Sequence, residues 1–410
     1  MLNDLLKKYW IYIVGIIFAL AAALGILQNQ NDPYSGYPNK SIGTAPKEKD
    51  LKAYYRQSLD IQTQEADETT VTFFAVGDIM LSRNVAATMQ KSNNYSLPFS
   101  NTKDLFSAVD FSFGNLESPF YPISGNCAGQ GHIGIIGGNS LVFGAPCNAA
   151  IGLNDNKFKV LSLANNHAFD QGLKGIEWTQ SLVKGIGVGK NLDKAWTPAV
   201  INEKNIKICF IAASYASIND NGKITNEYVA RIENLDRLKS GISNLKSACD
   251  FIVASMHAGT EYTRKPNAAQ TAFARAAIDF GADIVIGHHP HWIQTIERYC
   301  PNTTTSPRPS PQKEREGLQC ANAKYIFYSL GNFIFDQMWS QDTKEGLTLK
   351  IQISKSKAQN ELQGPKVPAS LDSIELVPII IENYSTPRPA TPEETKKILQ
   401  KIGETQAILK

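Results

Sequence analysis

Residues 281–292 read GADIVIGHHPHW. Ile284, Val285 and Ile286 form an apolar run with no charge in it, and the run breaks at Gly287 into His288, His289 and His291. A short run that is apolar on successive residues fits a strand buried on both faces, and the polar cluster marks its end. The same design recurs upstream. VTFFAVGD (71–78) ends in Asp78, and VDFSFGNLE (109–117) ends in Asn115 and Glu117. FKVLSLANNH (158–167) runs into Asn165, Asn166, His167 and then Asp170. IKICFIAAS (206–214) is apolar, FIVASMH (251–257) ends in His257, and KYIFYSLGNF (324–333) carries Asn332. Helical spacing fits near 84–91, 172–186, 233–247 and 267–280. Strands alternating with helices predict an α/β fold. After Gly346 the pattern changes: LTLKIQIS (347–354) and SIELVPIIIEN (373–383) read as antiparallel strands. A final helix over 390–406 follows, with Thr391 or Thr395 as its cap.

Composition bounds the function. The 410 residues carry 42% hydrophobic and 19% charged side chains, which excludes a disordered polyelectrolyte. A formal charge of +3 gives no electrostatic ground for a nucleic-acid partner, and none is expected. No internal repeat is visible, so solenoids and propellers are set aside.

Residues 10–27, WIYIVGIIFALAAALGIL, hold 18 residues without a charge, preceded by Lys7 and Lys8. That length and flank predict a transmembrane anchor with residues 1–9 in the cytoplasm and the rest outside. A cleaved signal peptide, cut near Ala21–Ala23, is the competing reading. Residues 28–69 read as a polar tether with a short helix near 49–64, and the folded domain is expected over 70–410. The expected location is thus the cell membrane, single-pass, with the domain extracytoplasmic. The cysteines fit an oxidising compartment. Cys127 and Cys147, and Cys300 and Cys320, are each 20 positions apart and flank irregular loops, the second an insertion near 300–321. Each bridge would stabilise by roughly 3 kcal/mol. Cys209 sits inside the apolar run IKICFIAAS and Cys249 just before FIVASMH, and both read as buried thiols rather than a third bridge.

Five of the six histidines sit in the strand-end turns. In an α/β sheet the carboxyl ends of the strands form the ligand-binding edge, so these turns should share one site. Asp, Glu, Asn and His together are a hard N/O donor set suited to one or two divalent ions, Mn²⁺, Fe or Zn²⁺. Such a pair can make hydroxide near neutral pH and clamp the oxygens of a displaced group. His289 and His291, two apart on an extended chain, would face the site together while His288 points away. His132, in the Gly-rich loop, is read as no part of it.

GDIMLSR, GNLES, LANNHAFDQG, MHAGTEY, GADIVIGHHPHWIQ and YSLGNFIFD resemble CapA-type proteins of poly-γ-glutamate capsule synthesis, a branch of the calcineurin-like metallophosphatase superfamily. The resemblance runs from about Val71 to the final helix. It implies a metallophosphatase-like four-layer α/β/β/α sandwich. It also implies metal ligands: Asp78 resembles the first-motif aspartate, and Glu117 stands where the bridging aspartate would be. Asn166 and His167 resemble the Asn–His motif, His257 the isolated histidine, and His289 and His291 the terminal His–x–His pair. Glu117, Asn166, His257 and His289 would form the better-supplied site, and Asp78 and His291 would share the weaker one with Glu117. Two places depart from the pattern: Met80 replaces the histidine of the first motif, and Glu117 replaces an aspartate. His167, Asp170 and Arg83 are the candidate catalytic groups, and Asn115, Asn332 and Arg83 the candidate substrate contacts. Two functions fit. One is a membrane-anchored component of capsule synthesis or export that binds or processes an anionic polymer beside membrane-embedded synthase subunits. The other is a metal-dependent phosphoester or amide hydrolase of the cell envelope unrelated to capsule.

Overall fold

Val71, Phe73 and Ala75 alternate with Phe74 and Val76 along the first strand, and all five are buried. A strand apolar on both faces belongs in the middle of a layered structure. The computed structural model describes residues 68–121, 141–216, 227–301, 320, 322–356 and 368–409. The anchor 10–27, most of the tether, the short helix near 49–64, Cys127, His132 and most of the 300–321 insertion lie outside the described residues. Among the described residues no helix is long and apolar enough to cross a membrane.

The strands, in chain order, begin with β1 (Glu68–Ile79), β2 (Phe111–Leu116), β3 (Phe158–Ser162), β4 (Gly185–Ile186) and β5 (Ala199–Glu203). β6 (Ile206–Ser214), β7 (Phe251–His257), β8 (Ile284–His288), β9 (Ile296–Tyr299) and β10 (Lys324–Phe327) follow. β11 (Asn332–Ile334), β12 (Glu345–Ser356), β13 (Ser370–Glu382), β14 (Thr386–Pro389) and β15 (Ile408–Leu409) complete them. The longer helices are α1 (Arg83–Ser92), α2 (Gly172–Leu182), α3 (Leu235–Ala248), α4 (Ala268–Phe280) and α5 (Pro392–Lys401).

Among the described residues the strands make two sheets, one ordered β14-β13-β12-β1-β2-β3-β4 with β11 on β1 and β15 on β13, the other β5-β6-β7-β8-β10-β9. β1, β2, β3 and β4 are parallel, as are β6, β7, β8 and β10, whereas β12, β13 and β14 run antiparallel. The fold is mixed α/β. Alternation decides the layers. Ile208, Phe210 and Ala212 join one core with Val253, Ile284, Ile286 and the β1–β3 residues. Cys209, Ile211, Ile252, Ala254 and Val285 join a second core with Leu238 and Ile242 of α3 and Phe273 and Ala277 of α4. One face of the second sheet therefore packs on the first sheet and the other is roofed by α3 and α4. Phe210 marks the seam, stacked on Phe113 at 5.0 Å and edge-on to Phe73 at 6.3 Å. The far face of the first sheet is covered by Phe99 and Phe106, with Phe106 5.7 Å from Phe74.

Thr391, not Thr395, caps α5, in a reciprocal capping box with Glu394 and with Pro392 in the first turn. The β5–β6 hairpin, absent from the strand pattern above, turns through Lys204 (φ 48°) and Asn205 (φ 65°). Two positive-φ residues are what a two-residue type I′ turn needs, and only Asn205 signals it in the sequence. Cys300–Cys320 is a disulfide. Cys147 is disulfide-bonded as well. Cys209 and Cys249 are also bridged, which corrects the reading of them as thiols. Cys209 is buried on the face of β6 that packs against α3 and α4, and Cys249 caps the C-terminus of α3, so the crossover helix brings their Cα atoms to 5.9 Å.

Candidate metal centre

The carboxyl ends of both parallel runs meet. Asp78 and Asn115 are register partners at the ends of β1 and β2, and His257 and His288 are partners at the ends of β7 and β8. The chain behind Asp78 is held by its N–H donating to Gly331 O at 3.0 Å. Gly77 permits that approach, since a Cβ there would lie 2.1 Å from Gly331 O.

Asp78 is fully buried. Its Oδ1 accepts from Asn115 Nδ2 at 2.8 Å, and its Oδ2 from the His289 N–H at 3.2 Å. His288 Nδ1 lies 3.4 Å from Oδ1 and His291 Nδ1 3.5 Å from Oδ2. Burial alone would raise this carboxyl, but the imidazoles of His288 and His291 overcome it and hold it well below the usual carboxylate range. Glu117 has the opposite fate. Burial, then the charges of Asp78 and Glu261, push its carboxyl well above the usual range. Both of its oxygens are buried with no hydrogen-bond partner.

Three of the imidazoles are oriented by polar neighbours. His291 Nδ1 donates to Asn332 Oδ1 at 2.9 Å, which leaves the bare Nε2 3.9 Å from Glu117 Oε1. Asn332 is itself fixed, donating to Gln337 Oε1 and Thr343 O. His167 Nδ1 donates to Asp170 Oδ2 at 2.8 Å and turns Nε2 to within 4.0 Å of Glu117 Oε1. Phe143 stacks on the His167 ring at 3.8 Å and gives its N–H to the same Asp170 oxygen. His257 Nδ1 accepts from Asn115 Nδ2, so Nε2 carries the proton and donates to Asn166 Oδ1 at 2.7 Å. Asn165 ties the network together, donating to Asn115 Oδ1 and Leu116 O and accepting the His167 N–H. His289 is buried with Nδ1 unpartnered, and burial, reinforced by His291, pushes it down to about 3.

Asp78, Glu117 and His291 form the closest cluster among the described residues, with ligand atoms within 4.8 Å of one another. A bare imidazole nitrogen facing an unpartnered buried carboxylate is a repulsive arrangement that a cation would relieve, so these donors fit a divalent ion. This is the set expected to be the weaker one. Of the other set, His257 and Asn166 hydrogen-bond each other, and His289 lies with its ring 4.8 Å from that of His257. Met80 is buried, its sulfur accepting the Ser82 N–H at 3.1 Å.

Three expectations look different in place. Arg83 is paired with Asp336 and lies over the rings of Phe143 and Phe335, so its guanidinium serves the protein rather than an open rim. Asn115 and Asn332 orient Asp78, His257 and His291. His288 points inward because it keeps the parity of Ile284 and Ile286 on β8, and the chain leaves the extended path just beyond it, with His289 at φ 99° and His291 at φ 58°. Parity carried through that break was the error. Sequence reasoning missed Asp336, although it closes YSLGNFIFD, and Tyr262, whose hydroxyl accepts from Gln337 at 3.3 Å. Nothing in the sequence pairs Tyr262 with this site.

The bacterial capsule synthesis protein PGA_cap family matches residues 72–337. The PGA biosynthesis protein CapA of Bacillus subtilis is 28% identical over 72% of this chain and 70% of its own length. The capsule biosynthesis protein CapA of Bacillus anthracis is 26% identical over 70% of this chain and 64% of its own. The chain thus spans about two thirds of these relatives. A 5'-nucleotidase precursor from Thermus thermophilus aligns at 13% identity and a TM-score of 0.38, over 74% of this chain and 54% of that one, a likeness too loose to bear on chemistry. With these motifs at the ends of both parallel runs, the chain belongs to the bacterial capsule synthesis protein family PGA_cap.

Proposed function

We propose that this chain is an accessory protein of capsular polyglutamate synthesis or export, and that Asp78, Glu117 and His291 hold a divalent ion, Mn²⁺, Fe or Zn²⁺, beside which the anionic polymer is bound or processed. The observation that carries the metal is Glu117, buried with neither oxygen partnered and facing two imidazoles. The capsule assignment is supported by family membership and by the names of the two CapA relatives. Residues 10–27 anchor the chain in the membrane, with 70–410 outside the cytoplasm beside membrane-embedded synthase subunits. The metallophosphatase-like reading of the two-sheet sandwich belongs to the same proposal.

A bound ion would supply Lewis acidity and a water of lowered pKa. The protein's own residues do the rest. Asn115 and Asn332 orient Asp78 and His291. Asp170 fixes the proton of His167 on Nδ1, so Nε2 can accept a proton near Glu117, and Phe143 holds that ring in plane. This last pair favours a second reading, in which the site hydrolyses a phosphoester or amide bond of the envelope. Deletion of the gene and complementation with wild type, Glu117→Ala or His291→Ala tests the first reading. Only wild type should restore polymer, with all three proteins folded and equally abundant. Full restoration by either variant contradicts it, and an unchanged capsule in the deletion strain leaves the envelope hydrolase.

A further inference from the structure

The first motif lacks its histidine, yet Asp78 does not lack an imidazole. On β8, Ile284 and Ile286 face the other sheet, and His288 continues that parity as the strand's last residue. It is completely buried, its ring edge-on to Phe113 at 6.4 Å, and its Nδ1 lies 3.4 Å from Asp78 Oδ1. Neither of its ring nitrogens makes a well-formed hydrogen bond. A buried imidazole carries at least one N–H, and a proton without an acceptor is costly. The acceptor within reach is Asp78 Oδ1.

We propose that His288 is a positioning residue for the metal centre: from the second sheet it directs Nδ1–H at Asp78 Oδ1 and so presents Oδ2 toward Glu117 and His291. Met80, in the place of the first-motif histidine, gives Asp78 no imidazole, its sulfur accepting the Ser82 N–H. Hydrogen bonds of this kind set the orientation and basicity of ligating groups, and losing one weakens metal binding about 10- to 100-fold. His288 is not itself within the cluster of mutually close ligand atoms. This role rests on the metal reading above.

The test is Mn²⁺ titration by calorimetry on the full chain as wild type, His288→Leu and His288→Asn, each also melted in EDTA. Leu fills the space without a donor, and Asn can place an amide N–H near the position of Nδ1. The expected result is about 10- to 100-fold weaker Mn²⁺ binding in His288→Leu, with most of the loss restored in His288→Asn. Wild-type affinity in His288→Leu overturns the role. So does an Asn variant that melts like wild type in EDTA yet binds as weakly as Leu. A wild-type chain that binds no Mn²⁺ overturns the metal reading and this role with it, whereas the first two results leave the metal reading standing.

Discussion

Glu117→Gln should reverse the order of two stabilities. The carboxyl is fully buried, both oxygens lack partners, and Asp78 adds repulsion. An unsatisfied buried polar group costs about 1–3 kcal/mol, more when charged. Gln keeps the shape and removes the charge, so in EDTA at pH 8 the variant should be more stable by about 1 kcal/mol. A folded part of this size shifts its Tm by roughly 2 °C per kcal/mol, so the gain is about 2 °C. With Mn²⁺ at a hundred times its Kd, wild type gains about 2.7 kcal/mol, or about 5 °C, and the variant gains little. The pH trend separates charge from packing. A carboxyl raised in the folded state binds more protons there than in the unfolded chain. Its contribution is therefore lost as pH rises above the ordinary 4.5 through the folded value. The EDTA difference between variant and wild type should then widen with pH over that window. Melting curves with and without Mn²⁺ decide it. A variant less stable than wild type in EDTA that still responds to Mn²⁺ would refute the reasoning.

Other outcomes follow from the same structure. In EDTA, burial holds His257 low and His289 at about 3, so both stay neutral in the folded chain. Their contribution is complete above the unfolded value of 6.5 and is lost as pH falls toward 3; His289→Gln should flatten that acid limb in pH-dependent denaturation. Phe210→Ala opens the seam between the sheets and should cost about 3–5 kcal/mol by urea denaturation. Cys300→Ser should cost about 3 kcal/mol and Cys249→Ser about 4, as the second bridge closes a longer loop; equal stability under reducing and oxidising conditions would dismiss both.

The parallel strands were legible because burial on both faces makes them uninterrupted apolar runs, and their polar ends stand out against that background. FIVASMH is β7 residue for residue. Short edge strands were not legible. β4 has two residues, and β9 and β14 have four each, too short for a period to develop. The site residues were visible as types at strand ends, but their partners were not. That Asp336 takes Arg83, that Asn332 turns His291, and that Cys249 reaches Cys209 all depend on which strands lie side by side, and periodicity does not carry that. His288 follows the alternation of Ile284 and Ile286; the parity of His289 and His291, both at positive φ, does not carry back to it.

Metal analysis of the purified full chain, with the ion located by anomalous diffraction, tests the centre most directly. Wild type should carry a transition metal bound by Asp78, Glu117 and His291, and both Glu117→Ala and His291→Ala should lose it while remaining folded. A chain that holds no divalent ion under any loading condition, or an ion bound elsewhere, would contradict a metal centre at the meeting of the two sheets.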